Sequence, residues 1–381
     1  MIARKKRSIG RWLGLLIPGA LLISACDLDE ILEVDIPGKV DAGSLANPAL
    51  ANVLVNSVIG DAECSWSNYA AASSNHSDEW IPTSGNLLRR EWGQRKMEGG
   101  SSSGGVLAQT TCDGADYGIY TPLHTARFQN NDVYDKLAEF DAADVPDKTQ
   151  LQGTVRTWGG YALVGLGEGF CSMAIDAGPE LQPADVLAVA ISTFTEAISL
   201  AGGADEVAAA YAGRARAKLD TGDWSGAIAD AQQVPEGFEF NASRDATIAR
   251  RFNRMQSNLN DTNDGVSKHG SIANHFRDLT VSDTGELTQN DGTPDPRTPV
   301  RTIGNQAFDF STIHYFTDKY TARSDPAPIA SWETAQLIIA EASAQMGDVA
   351  GAVAIINDLR DRSGLPQWAA GATASQDEVL T

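Results

Sequence analysis

Apolar residues recur at helical spacing over most of the chain. The first such pattern comprises Leu50, Val53, Leu54, Val58 and Ile59. Further patterns of the same period predict helices at 121–137, 154–174 and 183–201. Pro122 and Pro183 lie in the first turns of two of these helices, where proline is well tolerated. The sequence therefore predicts a mainly α-helical fold.

Two segments repeat a common order of features. In 206–235, two helical patterns meet at Gly222. Ala215 lies seven residues before this glycine, and Ala227 lies five residues after it. The segment 333–366 has the same offsets, at Gly347, Ala340 and Ala352. This spacing resembles the tetratricopeptide repeat, whose small residues let two antiparallel helices pack closely. We therefore predict a tetratricopeptide-like helical-repeat scaffold in which Ala215 faces Ala227.

The segment between the repeats, 238–330, has a different pattern. It is rich in Asn, Asp, Thr, Gly and Pro, and it mixes polar and apolar residues without a helical period. A segment of this length is too long for an ordinary loop. We predict an irregular, loop-rich insert on the helical scaffold, with short strands near Thr298–Thr302 and Ile313–Phe316.

The N-terminus has the features of a secretory signal peptide. Basic residues precede an apolar stretch, Trp12–Ile23, which is too short to span a bilayer as a helix. Two small residues then precede Cys26, as in a bacterial lipoprotein signal. This order predicts a signal peptide at 1–25, acylation of Cys26 and a tether over 26–45. The alternative is an ordinary signal peptide with a chance cysteine.

Charge and motif content exclude several classes of function. The 381 residues include 29 Lys and Arg against 50 Asp and Glu, a net charge of −21 at pH 7. A surface this acidic repels phosphate backbones, so we expect no nucleic-acid partner. The sequence contains neither a His-Glu-x-x-His nor a Cys-x-x-Cys motif, and its glycine-rich runs follow no strand pattern. We therefore expect no metal, no cofactor and no catalytic site.

Three cysteines remain once Cys26 is acylated. An extracytoplasmic location permits disulfides, and three cysteines allow one bridge within the chain. Cys64 and Cys171 lie in helical patterns, whereas Cys112 lies in a loop. The sequence alone does not choose the pair, and we favour a Cys64–Cys171 bridge.

Four further motifs accompany the lipoprotein signal. They are SDE at 77–79, YTPLHTAR at 120–127, KYTARSDPAPIASWETAQLIIAEA at 319–342 and AIINDLRDRSGLP at 354–366. Together they resemble the SusD/RagB family of outer-membrane nutrient-uptake lipoproteins, over essentially the whole mature chain. The most specific matches are Lys319-Tyr320, Ala335–Ala342, Asn357, Arg360 and Gly364-Leu365-Pro366.

The resemblance implies a single SusD-like helical domain over 46–381. It implies a non-catalytic protein, anchored by lipid to the outer membrane and exposed at the cell surface. Such a protein captures oligosaccharides, or peptides in some lineages, for a SusC-like TonB-dependent transporter. The acids Asp27, Asp29 and Glu30 resemble a surface-export signal of Bacteroidetes-type lipoproteins, with a solvated tether as the alternative. Family members usually continue beyond this point, so the resemblance also implies a truncated C-terminus.

The resemblance also points to ligand-binding residues. In this family, the ligand face lies near the loop after the first helix and within the irregular insert. The matching residues here are Asp78, Trp80, Arg90, Trp92, Phe310 and Tyr315. Flat aromatic rings could stack on sugar faces while the charged groups bind hydroxyls. The alternatives are tryptophans packed under the loop and a local hydrophobic cluster in the insert.

A second function class fits the repeats. A helical-repeat lipoprotein could act as a scaffold that binds only other envelope proteins. The insert and the two loop tryptophans favour ligand capture, because a pure solenoid has no need of a long irregular segment.

Overall fold

The computed structural model describes residues 42–85, 93, 111–112, 118–262 and 268–380. The chain divides into two units, Met1–Ser44 and Leu45–Thr381. Cys26, Arg90 and Trp92 lie outside the described residues, so their predicted roles stay predictions.

Helices form most of the second unit. Among the described residues they are α1 (Ala51–His76), α2 (Tyr120–Glu139), α3 (Lys148–Gly169), α4 (Pro183–Ser199), α5 (Ala204–Asp220), α6 (Trp224–Ala231), α7 (Trp332–Gln345), α8 (Val349–Arg362) and α9 (Gln376–Leu380). Successive helices from α2 to α6 pack against their neighbours, and α7 packs on α6. This arrangement confirms the predicted mainly α-helical fold. The helix predicted at 154–174 starts earlier, at Lys148, and ends at Gly169.

The predicted repeat pairs are α5–α6 and α7–α8. Gly222 and Gly347 follow the first helix of each pair with positive φ values of 80° and 89°. The next residue, Asp223 or Asp348, caps the second helix by accepting a hydrogen bond from a backbone N–H three residues later. Glycine therefore ends one helix and aspartate starts the next at both turns.

The small residues of the repeat pattern are buried. Ala215, Ala227 and Ala352 have no exposed surface, and Ala340 is 3 % exposed. The first pair also has a buried charge. Asp230 of α6 accepts hydrogen bonds from the Arg214 guanidinium group of α5 at 2.6 and 2.7 Å.

Ala227→Leu should lower the free energy of unfolding by roughly 1–3 kcal/mol, because the larger side chain overpacks the α5–α6 contact. Urea unfolding of the full chain measures the change. Ala229→Leu is the matched control, since Ala229 is exposed on the same helix. Equal stability of the Ala227→Leu variant and the parent would argue against close packing at this position.

Short strands occupy the insert, as predicted. The strands of the described chain are β1 (Trp80–Pro82), β2 (Met173–Ala174), β3 (Glu180–Leu181), β4 (Glu239–Ala242), β5 (Gly270–Ile272), β6 (Leu279–Val281), β7 (Leu287–Gln289), β8 (Thr293–Pro294), β9 (Val300–Gln306), β10 (Ile313–Thr317) and β11 (Ala327–Ser331). They form the antiparallel pairs β1–β5, β2–β3, β4–β11 and β9–β10, and a three-stranded sheet in the order β7–β6–β8. These described strands form sheets of only two or three strands. Other contacts must therefore stabilise the insert.

Buried polar side chains hold the insert to itself and to α1. Asn253 has no exposed surface, and its Nδ2 atom donates to the Asp325 carbonyl at 2.9 Å. The buried Glu63 carboxylate of α1 accepts from the Ser243 backbone N–H at 2.7 Å. Such bonds satisfy backbone groups that no helix or sheet satisfies. The high Asn and Asp content of the segment therefore has a structural role.

The disulfide differs from the favoured pair. Cys64 is bonded to Cys112, with 6.2 Å between their Cα atoms, and Cys171 is free and exposed. Cys64 lies in the buried part of α1 and Cys112 is also buried, whereas Cys171 follows the end of α3. The prediction of Cys64–Cys171 is therefore wrong, because membership of a helix says nothing about which thiols approach each other.

Replacing Cys64 and Cys112 by alanine should lower the free energy of unfolding by about 2–4 kcal/mol, since the unfolded chain loses a closed loop. Denaturant unfolding measures the loss. Cys171→Ala serves as the control and should leave stability nearly unchanged. An equal loss of stability in the double variant and in Cys171→Ala would contradict the Cys64–Cys112 assignment.

Candidate functional site

The site begins where α1 ends. Asp78 follows the helix with a positive φ of 61° and is exposed. The chain then enters β1, whose Trp80 lies opposite Ile272 of β5. The backbone N–H of Ala273 donates to the Glu79 carbonyl at 2.9 Å and extends this pairing. The short sheet thus joins the end of α1 to the insert.

Trp80 does not occupy the exposed loop position that was expected for it. The residue is 3 % exposed and belongs to the main hydrophobic core. A ring this buried is not an exposed platform on which a sugar could stack. The prediction of Trp80 as a stacking platform is therefore corrected: β1 pairs with β5 and turns the indole inward.

A cavity of about 210 Å³ lies against Trp80. Its apolar walls are Trp80, Met255, Ile272, Phe276 and Val300, and its polar lining is Glu79, Thr298, Thr317, Lys319 and Tyr320. The volume is below the roughly 300–1,000 Å³ of pockets that hold drug-sized ligands. The cavity therefore suits one small group or ring. We call it the Glu79–Lys319 pocket.

Several polar groups of this pocket lack partners within the described chain. The Thr298 hydroxyl is buried and has no hydrogen-bond partner there, at a cost of about 1–3 kcal/mol. The Glu79 carboxylate and the Lys319 ammonium group also have no hydrogen-bond or ion-pair partner among the described residues. The Thr298 hydroxyl is thus buried with its bonding capacity unused, whereas Glu79 and Lys319 are solvent-exposed residues of the pocket lining.

The surroundings shift two ionisable groups of the pocket. Desolvation raises the pKa of the Glu79 carboxyl group, and the Lys319 charge opposes this shift. Burial also raises the pKa of the Tyr320 phenol, and the Glu79 charge adds to that rise. Tyr320 is therefore a protonated hydrogen-bond donor near neutral pH, and the Glu79 carboxylate can accept a hydrogen bond from an incoming donor.

A buried asparagine fixes the wall that carries Lys319 and Tyr320. Asn260 ends a single π-helical segment, Met255–Asn260. Its Oδ1 atom accepts from the Thr317 backbone N–H at 2.7 Å, and its Nδ2 atom donates to the carbonyl groups of Thr317 and Tyr320. Because these bonds hold the backbone on both sides of Lys319, the pocket wall is preorganised.

The two insert residues expected to bind ligand lie on the β9–β10 hairpin. Phe310 is at its tip, is 74 % exposed and has its ring 6.0 Å from that of Phe308. Tyr315 is half-buried, and the Arg277 guanidinium group covers its ring at 3.9 Å from the centroid. Val300 of the pocket starts β9, so the tip lies about 20 Å along the strand. The hairpin therefore separates Phe310 from the pocket.

Glu79, Lys319 and Tyr320 were not predicted as site residues, although each lies in a motif that carries the family resemblance. Glu79 ends the SDE motif, and Lys319 and Tyr320 begin the KYTARSDP motif. Both motifs contributed to the family resemblance, and the structure brings them to one cavity. Their meeting across about 240 positions of sequence could not be inferred from spacing alone.

Within the described ranges, no group of three or more His, Cys, Asp or Glu residues could hold a metal ion. None of the helices in the described part of the chain is long and apolar enough to cross a membrane.

Comparison with known proteins identifies the fold. No protein-family model matches the sequence, and no curated protein matches it either. A SusD-like carbohydrate binding protein from Bacteroides vulgatus matches with a TM-score of 0.62 and 15% identity, over 88% of this chain and 78% of its own. A SusD-like carbohydrate binding protein from Bacteroides fragilis matches with a TM-score of 0.62 and 13% identity, over 85% and 80%. Surface glycan-binding protein A from Bacteroides uniformis matches with a TM-score of 0.58 and 12% identity, over 86% and 84%.

These similarities confirm the predicted resemblance at the level of the fold. The chain has the SusD-like fold, with tetratricopeptide-like helices and a loop-rich insert. At such low identities, the similarity assigns no ligand to individual residues.

Proposed function

We propose that this chain, which has the SusD-like fold, is a non-catalytic lipoprotein of the outer membrane that captures oligosaccharides at the cell surface. It then delivers them to a TonB-dependent transporter. The structural neighbours described above are named as carbohydrate- and glycan-binding proteins. The observation that carries the proposal for this chain is the Glu79–Lys319 pocket on that fold.

The lining of the pocket suits a sugar. A sugar ring presents apolar C–H groups on its faces and hydroxyl groups at its edge, which both donate and accept hydrogen bonds. Ile272, Phe276 and Val300 offer an apolar surface, while Glu79 and Lys319 offer a charged acceptor and a charged donor. Hydrogen bonds to charged groups contribute more than neutral ones. One sugar residue of a longer oligosaccharide would therefore enter the pocket.

A glycan array probed with the detergent-solubilised full chain tests the proposal. We expect binding to at least one class of oligosaccharide. Val300→Trp fills the pocket and should abolish that binding, whereas Val189→Trp, at an exposed position on α4, should preserve it. Failure to bind any glycan, combined with capture of envelope proteins, would favour the scaffold alternative.

Anchoring through Cys26 is tested separately. Cys26→Ser removes the predicted site of acylation, so the protein should leave the detergent phase and be released from the membrane. Partitioning that does not change on this substitution would contradict lipid anchoring, whatever the result of the glycan array.

A further inference from the structure

We propose that the Glu79–Lys319 pocket selects an N-acetylated sugar residue by binding its acetamido group. This inference rests on the proposed capture of oligosaccharides and names the class of sugar that the site prefers. It follows from three properties of one small cavity: an apolar interior, a charged acceptor and a charged donor.

The apolar interior requires an apolar group from the ligand. Five of the lining residues, Trp80, Met255, Ile272, Phe276 and Val300, present apolar side chains. A hydroxyl group placed against these apolar side chains, away from the polar lining, would be left unpaired. The methyl group of an acetamido substituent instead gains from burial there.

The two charged groups match the two polar ends of an amide. An amide N–H can donate to the Glu79 carboxylate, and the amide oxygen can accept from the Lys319 ammonium group. Tyr320 and Thr298 provide further hydroxyl donors in the same lining. The Thr298 hydroxyl, buried and unpartnered in the described chain, would gain a partner from the ligand.

Opposite charges also disfavour other substituents. A free amine would be attracted by Glu79 but repelled by Lys319. A carboxylate would be attracted by Lys319 but repelled by Glu79. An acetamido group carries no net charge and has its donor and acceptor on separate atoms. Both protein charges can therefore bind it at once without repulsion.

Three trisaccharides with the same linkage and ring configuration test the inference on the unaltered full chain. N,N′,N″-triacetylchitotriose carries acetamido groups, its deacetylated form carries free amines, and cellotriose carries hydroxyl groups at the same position. Isothermal titration calorimetry should give a dissociation constant for the acetylated trimer that is roughly ten-fold or more below those of the other two. Equal affinities, tighter binding of cellotriose, or no binding of any trimer would overturn the inference.

Substitutions then assign the preference to residues. Glu79→Ala and Lys319→Met should each reduce the ratio of acetylated-trimer to cellotriose affinity by several-fold. Glu180→Ala is the matched control, because this exposed glutamate lies on β3 and does not line the pocket. Thermal midpoints of all variants check folding. An unchanged affinity ratio in both pocket variants would overturn the assignment, while a positive glycan array would still support capture of oligosaccharides.

Discussion

Trp80→Ala is expected to lower the free energy of unfolding by about 3–5 kcal/mol, the usual cost of removing a large aromatic ring from a core. Trp80 is 3 % exposed, and its strand joins the end of α1 to β5 of the insert. Loss of the indole leaves a cavity where these two parts of the chain meet. Because Trp80 also forms a wall of the Glu79–Lys319 pocket, affinity per folded molecule should fall as well.

Urea unfolding measures the change in stability, and a phenylalanine at the hairpin tip supplies the control. Phe310 is 74 % exposed, so Phe310→Ala should alter the free energy of unfolding by less than about 0.5 kcal/mol. Trp80→Ala with the stability of the parent would mean that the indole lies in an exposed loop, as expected from the sequence alone. A large loss in Phe310→Ala would show that the hairpin tip packs on the fold.

The sequence predicted the helical parts of this fold well, because periodicity and helix caps are local signals. The repeat turn at Gly222 and Asp223 illustrates this, since positive φ and N-capping depend on a few neighbouring residues. Strand β1 illustrates the opposite case. It has three residues, and its partner β5 lies about 190 positions later. No periodicity develops over such a length, so the burial of Trp80 could not be predicted.

The pocket could not be predicted from the sequence for a related reason. Its walls come from Glu79, β1 and several pieces of the insert. Asn253 and Asn260 hold these pieces through side-chain bonds to distant backbone groups. An asparagine that stabilises a buried backbone looks, in sequence, like an asparagine in a solvated loop. The cysteine pairing failed in the same way, because Cys112 approaches Cys64 through loop geometry that carries no pattern.

Phe194→Ala is expected to cost about 3–5 kcal/mol as well, and it tests how the repeat scaffold packs. Phe194 of α4 has no exposed surface, and its ring lies between glycines of two other helices. A Cβ atom added to Gly160 of α3 would lie 2.4 Å from Cε1 of Phe194, and one added to Gly213 of α5 would lie 2.3 Å from Cζ. The glycines therefore make room for the ring.

This geometry predicts that the effect of Gly213→Ala changes sign with the residue at position 194. Beside Phe194, the added methyl group overpacks the site and should cost about 1–3 kcal/mol. In the Phe194→Ala background, the methyl group enters vacated space and alanine favours the helix by up to about 1 kcal/mol, so the substitution should stabilise. A double-mutant cycle from urea unfolding measures the coupling. Additive effects would mean that the ring does not contact α5, and that α4 and α5 pack without the close approach that their small residues permit.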